Sequence, residues 1–188
     1  MRQDLSVLLS HESTEWYTPA KYVELARAVM GGIDLDPASS VIANETVRAS
    51  RIRTCHDNGL LYSWYGRVWL NPPYSKTDGK SNQELFAAKL IAEYQAGRVL
   101  EAILLTKAAL GYTWFDNLLR YWPVCLMYGL MSFQRPDGSK SGKAKLGSAF
   151  FYFGPNYNRF EDMFSEIGRV IPPLEQAIPI QQYMELAR

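Results

Sequence analysis

Arg67-Val68-Trp69-Leu70-Asn71-Pro72-Pro73-Tyr74 joins an apolar run to a rigid turn. Two consecutive prolines remove two N–H donors and fix two φ angles, and the residue before each is pushed away from helix. The segment reads as a strand ending in a stiff, extended turn, with outward-facing carbonyls and an aromatic ring beside an amide side chain. Such a turn suits a planar substrate bearing nitrogen. The Asn71 side-chain oxygen and a proline carbonyl can accept both N–H bonds of one amino group while Tyr74 stacks on the heterocycle. The plain alternative is a structural Pro-Pro turn with a capping Asn.

Strands and helices alternate on both sides of this turn. Thr18-Pro19 opens a helix, with Pro at its first position. Tyr22, Val23, Leu25, Ala26 and Val29 carry it forward, and Gly31-Gly32 closes it. Residues 33–36 read as a short strand stopped by Pro37. A short helix follows over about 40–49, then an edge strand over 51–54. Residues 76–81 are polar and glycine-containing and are expected to be mobile. An amphipathic helix spans 84–95, and a buried strand spans 99–105. A helix over 114–121 ends at Pro123, strands follow over 124–128 and 149–153, and a last helix covers 160–170. The alternation favours an α/β fold with parallel strands, whose ligands bind beyond the carboxyl ends of the strands. Asp36, Asp57, Asn71 and Lys107 all fall just after expected strands or at turn starts, so they can converge on one rim.

A length of 188 residues is that of a single domain, 1–188, with a lead-in over 1–17 and a tail over 171–188 interrupted by prolines. The formal net charge of +1 excludes a bulk polyanion binder, so local asymmetry carries more information. Residues 135–145 hold Arg135, Lys140, Lys143 and Lys145 against the single anion Asp137. Two cysteines are too few for a disulfide framework and two histidines too few for a zinc cluster, so no metal is expected. No apolar run has the length of a membrane span, and the first residues lack a signal-peptide pattern. A cytoplasmic protein, bacterial or from a phage-infected host cell, is the expectation. Aromatic content is high, which fits a well-filled core or a cleft lined for stacking on bases.

The Asn-Pro-Pro-Tyr turn resembles the catalytic motif of S-adenosylmethionine-dependent amino-methyltransferases, above all the phage-type DNA N6-adenine methyltransferases. Glu15-Trp16-Tyr17-Thr18-Pro19 resembles their N-terminal segment against the methionine part of the cofactor. Asp34-Leu35-Asp36-Pro37-Ala38-Ser39 resembles their first cofactor motif, with Asn44 at the spacing of the small phage enzymes. Asp57-Asn58-Gly59-Leu60 resembles their acidic turn at the cofactor adenine, and Thr106-Lys107 and Trp114-Phe115 are weaker matches. The likeness spans about residues 15–155. It departs from the usual pattern at Ser39-Ser40-Val41-Ile42-Ala43, where no glycine follows the acidic-Pro-Ala turn.

The resemblance implies a Rossmann-like class I methyltransferase sheet, whole or trimmed, mostly parallel with an antiparallel final strand pair. It implies S-adenosyl-L-methionine as cofactor and the N6 amino group of adenine in DNA as target. Asn71, Pro72, Pro73 and Tyr74 would be catalytic, and Thr18, Pro19, Asp36, Pro37, Ala38, Asn44 and Asp57 would bind cofactor. Asp34 competes with Asp36 for its role; the Pro-Ala context favours Asp36. Lys76, Lys80, Arg135, Lys140, Lys143 and Lys145 would contact DNA phosphates. Two other readings stay open: a methyltransferase acting on RNA or a protein glutamine amide, and a non-catalytic nucleic-acid-binding relative. Recognition sequence and oligomeric state are not legible.

Overall fold

A computed structural model describes residues 17–134, 140–143 and 146–174. Most of the lead-in, Arg135, Lys145 and the end of the tail lie outside the described residues. The helices are α1 (Ala20–Met30), α2 (Val41–Val47), α3 (Asn82–Gln95), α4 (Thr113–Tyr121) and α5 (Tyr157–Phe164). The strands are β1 (Leu35–Asp36), β2 (Arg51–Ile52), β3 (Gly66–Leu70), β4 (Lys76–Thr77), β5 (Lys80–Ser81), β6 (Val99–Lys107), β7 (Val124–Met127), β8 (Ser132–Gln134), β9 (Lys140–Lys143), β10 (Ser148–Phe153) and β11 (Gly168–Ile171). Among the described residues, no helix is long and apolar enough to cross a membrane.

One seven-stranded sheet runs in the order β11-β7-β10-β6-β3-β1-β2. The pairings β1–β2, β1–β3 and β3–β6 are parallel. Those of β6–β10, β10–β7 and β7–β11 are antiparallel. The expected α/β architecture is therefore present, with a parallel core and antiparallel later strands.

Both faces of the sheet are covered, and the period of two along each strand divides the side chains between them. Val68, Leu70, Ala102, Leu104, Phe151 and Phe153 pack with α3 and α4 through Phe86, Leu90, Phe115 and Leu118. Trp69, Ile103, Leu105, Phe150 and Tyr152 face the other way, against Tyr22, Val23 and Ala26 of α1 and Phe160 and Phe164 of α5. Trp69 thus sits on the opposite face from its neighbours Val68 and Leu70, as an extended run into Asn71 requires.

The structure adds one local element and corrects another. Residues 76–81, given no regular element by sequence, form the hairpin β4–β5. Its two-residue turn, Asp78-Gly79, has φ of 49° and 79°, the left-handed pair that Asp-Gly supplies in tight hairpins. Residues 160–170 are not one helix: α5 stops at Phe164, and β11 adds an antiparallel strand. Gly168 decides the second case. A Cβ there would lie 2.4 Å from the Leu126 carbonyl oxygen and 2.5 Å from Cys125 Sγ, so only glycine lets β11 approach β7. Of the basic segment, residues 140–143 form β9, which pairs antiparallel with β8.

Candidate active site

Because β1, β3 and β6 are parallel, their last residues reach one edge of the sheet. Asp36 ends β1, Asn71 follows β3, and Lys107 ends β6. β1 and β3 are direct neighbours, with Leu35 opposite Val68. A cavity of about 500 Å³ opens at this edge. Thr18, Asp36, Pro37, Ala38, Asn71, Pro72, Pro73 and Tyr74 line it, from three separate stretches of sequence.

Asp36 is 3% exposed. Its Oδ1 accepts a hydrogen bond from the Ala38 N–H at 3.1 Å, and no ion pair among the described residues reaches it. Burial pushes its carboxyl up to about 7, against the smaller opposing pull of the Ala38 N–H and the Ser39 side chain. Asp34, the competitor, is already engaged. Its carboxylate accepts from Arg67 Nε at 2.9 Å, Arg67 Nη2 at 2.8 Å and the Arg67 N–H at 2.8 Å, and the Arg67 bonds hold its carboxyl below the usual range. A buried carboxylate facing a cavity with no cation among its described lining residues is expensive to keep charged. It suits a ligand that brings hydroxyl or ammonium donors, so the residues present fit a cofactor with such groups.

Asn71 is fixed by Thr18, whose Oγ1 accepts from Asn71 Nδ2 at 3.2 Å. That bond holds the amide plane. Tyr74 is packed edge-on by Phe133 at 5.9 Å between ring centroids, and Lys107 Nζ lies over its ring at 4.9 Å. Burial raises the Tyr74 hydroxyl above its ordinary range, so the group stays a neutral phenol.

Pro19, Asn44 and Asp57 do not line the cavity. Asn44 clasps Ala49 through both amide atoms, Oδ1 to N–H at 2.8 Å and Nδ2 to carbonyl at 3.3 Å, and so pins the end of α2. Asp57 accepts from the Thr54 N–H at 2.8 Å and the Thr54 hydroxyl at 3.0 Å, which holds its carboxyl low. Both shape loops whose neighbours reach the cavity. From the Asp57 turn, those neighbours are Asn58, Gly59 and Leu60.

Gly59 marks a contact invisible in the sequence. A Cβ there would lie 2.0 Å from the Pro37 carbonyl oxygen, so the second turn rests directly on the Asp36-Pro37-Ala38 turn. The buried Trp64 fixes it by donating Nε1 to the Gly59 carbonyl at 2.9 Å.

Ser75, Thr77 and Asn82 also line the cavity without having been singled out by sequence. Asn82 donates to Ser75 Oγ and accepts from Thr77 Oγ1, both at 2.8 Å. This ties β4–β5 to the start of α3, with Lys76 and Lys80 exposed on the hairpin. Lys140 and Lys143 belong to β9.

The model of the DNA N-6-adenine-methyltransferase (Dam) family matches residues 6–155. No curated protein matches the chain.

Proposed function

We propose that this chain, which belongs to the DNA N-6-adenine-methyltransferase (Dam) family, holds S-adenosylmethionine against Asp36 and the target adenine at Asn71. The family's activity, methylation of adenine N6 in DNA, is the activity of this chain. The observation that carries the assignment of residues is the meeting of Asp36 and Asn71, at the ends of adjacent parallel strands, on one cavity.

The exocyclic amine of adenine is a poor nucleophile because its lone pair is delocalised into the ring. Asn71 Oδ1 and the Pro72 carbonyl accept its two N–H bonds and favour a more tetrahedral nitrogen. Tyr74 receives the base on the ring face away from Lys107. S-adenosylmethionine, when bound, supplies an electrophilic methyl group. Thr18, Asp36, the Pro37-Ala38 turn and the Asn58–Leu60 stretch hold it, with Asp36 accepting from hydroxyl or ammonium donors. No strong base has to act before attack, since the amine proton can leave afterwards. The contribution of the chain is orientation and preorganised acceptors.

An adenine inside a duplex cannot reach this cavity, so it is extruded, at roughly a few kcal/mol for unpairing and unstacking. Lys76, Lys80, Arg135, Lys140, Lys143 and Lys145 offset part of that cost through phosphate contacts. Neutralising Lys140, Lys143 and Lys145 together lowers DNA affinity and reduces the slope of log affinity against log salt by about one for each lost contact. Cofactor affinity stays unchanged. A slope equal to that of wild type removes these lysines from the DNA surface.

The reading as a whole is tested by calorimetry with S-adenosylmethionine and by transfer of a labelled methyl group to DNA, RNA and protein acceptors offered together. Saturable cofactor binding with label in DNA supports it. Label confined to RNA or to a glutamine amide, or no cofactor binding by folded protein, overturns it.

A further inference from the structure

The connection after β6 carries two large apolar side chains in solvent at the catalytic edge. Leu110 is 69% exposed and Tyr112 is 64% exposed. They begin three residues beyond Lys107, whose ammonium lies over Tyr74. Three residues of chain span at most about 11 Å, so the turn stays near the end of β6, at the same sheet edge as Asn71.

The turn is rigidly built. The Tyr112 N–H donates to the Ala109 carbonyl at 3.2 Å, and Gly111 between them has φ of 85°, the pattern of a type II turn with Leu110 at its tip. Asp116 Oδ1 accepts from the Gly111 N–H at 3.2 Å. At the base, the Ala108 N–H donates to the Gly147 carbonyl at 2.8 Å, and Ala108 and Ala109 pack on the core. Leu146, 53% exposed, stands beside that base.

Local stability does not explain the residue choices. Tyr112 is the N-cap of α4 and makes no side-chain cap hydrogen bond, where Ser, Thr, Asp or Asn is strongly preferred. Leu110 exposes its side chain at a turn tip that tolerates polar residues. Choices that oppose local stability on a fixed scaffold point to a ligand. Family membership makes that ligand DNA, and apolar side chains on a rigid projection are what separates stacked bases.

We propose that residues 109–112 form the wedge that holds the duplex open at the target. Leu110 enters the space vacated by the extruded adenine, and Tyr112 stacks on the neighbouring base. This rests on the reading that DNA is bound at this edge in an extruded form.

The test compares wild type with the Leu110→Ser/Tyr112→Ser double variant on two duplexes carrying the sequence that wild type methylates. In one the target adenine is paired with thymine, and in the other it faces an abasic site. The double variant keeps or raises the melting temperature, since Ser is the better cap. On the paired duplex kcat/KM falls by about tenfold or more, and on the abasic duplex by less than about threefold, because an unpaired base needs less help to leave the stack. With 2-aminopurine at the target position, the fluorescence rise on binding is smaller for the variant on the paired duplex. Leu110→Phe restores most of the paired-duplex activity when Tyr112 is kept. Equal losses on both duplexes, or paired-duplex activity within about twofold of wild type, overturn the wedge. If wild type methylates no duplex DNA of any sequence, the DNA reading fails and the wedge fails with it.

Discussion

Asn71→Ala lowers the rate of methyl transfer by on the order of 10²–10³, the usual consequence of removing one preorganised polar contact to the reacting group. Cofactor affinity changes little. Stability changes modestly, because a hydrogen bond such as that to Thr18 contributes about 0.5–1.5 kcal/mol. Asn71→Asp is milder than Asn71→Ala: a carboxylate still accepts the target N–H, and the Thr18 hydroxyl can turn to donate to it. The order of rates is wild type, then Asp, then Ala, measured at saturating cofactor and DNA. If Asn71 were only a capping residue, the rate losses would instead follow the losses in melting temperature.

Asp36 gives the second large effect, and it has two faces. Asp36→Ala weakens cofactor binding by about tenfold or more, since a hydrogen bond to a charged group is typically worth about 1.5–3 kcal/mol. The same carboxylate destabilises the cofactor-free protein. Its carboxyl is pushed up to about 7 from an ordinary 3.8. A raised folded-state value favours folding while the group is protonated, and that benefit is lost as pH rises from about 4 through about 7. Asp36→Asn keeps the acceptor for the Ala38 N–H and removes the charge. The variant's melting temperature therefore exceeds that of wild type at pH 8, by an amount corresponding to on the order of 1–4 kcal/mol, and the gap closes toward pH 4. Cofactor affinity of wild type rises with pH through the same window, because the ionised carboxylate is the form that accepts. Calorimetry in buffers of different ionisation enthalpy detects the proton released near neutral pH. An affinity flat between pH 6 and 8 and indifferent to Asp36→Ala removes Asp36 from the cofactor site.

The sequence was most legible where backbone chemistry is local. Asn71-Pro72-Pro73 and Asp36-Pro37 lack N–H donors that a strand ladder needs, so both halves of the cavity read as strand ends. The choice of Asp36 over Asp34 rested on its Pro-Ala neighbours. The structure supplies a physical reason that depends on Arg67, far along the chain. Asn44 and Asp57 show the limit of reading motifs by position. A short polar side chain in a turn finds backbone partners within a few residues, and those bonds take both side chains away from the cavity.

Sequence alone gives β4–β5 no regular element although Asp78-Gly79 is a hairpin signal, because its strands are too short for alternation to register. Periodicity extends a helix over β11 because Phe160, Phe164, Ile167 and Val170 keep a helical spacing across the break. Gly168 and the alternating burial of Gly168–Ile171 identify the strand only once β7 is beside it. The contact of Gly59 with Pro37 joins two motifs more than one element apart, and no local pattern encodes it.

The most direct test is the chemical identity of the methylated product. Duplex DNA is incubated with purified protein and labelled S-adenosylmethionine, then digested to nucleosides and separated. The account predicts label in N6-methyl-2′-deoxyadenosine with wild type, and little or none with Asn71→Ala at the same cofactor occupancy. Label on cytosine, or on adenine at equal rates for wild type and Asn71→Ala, would contradict it.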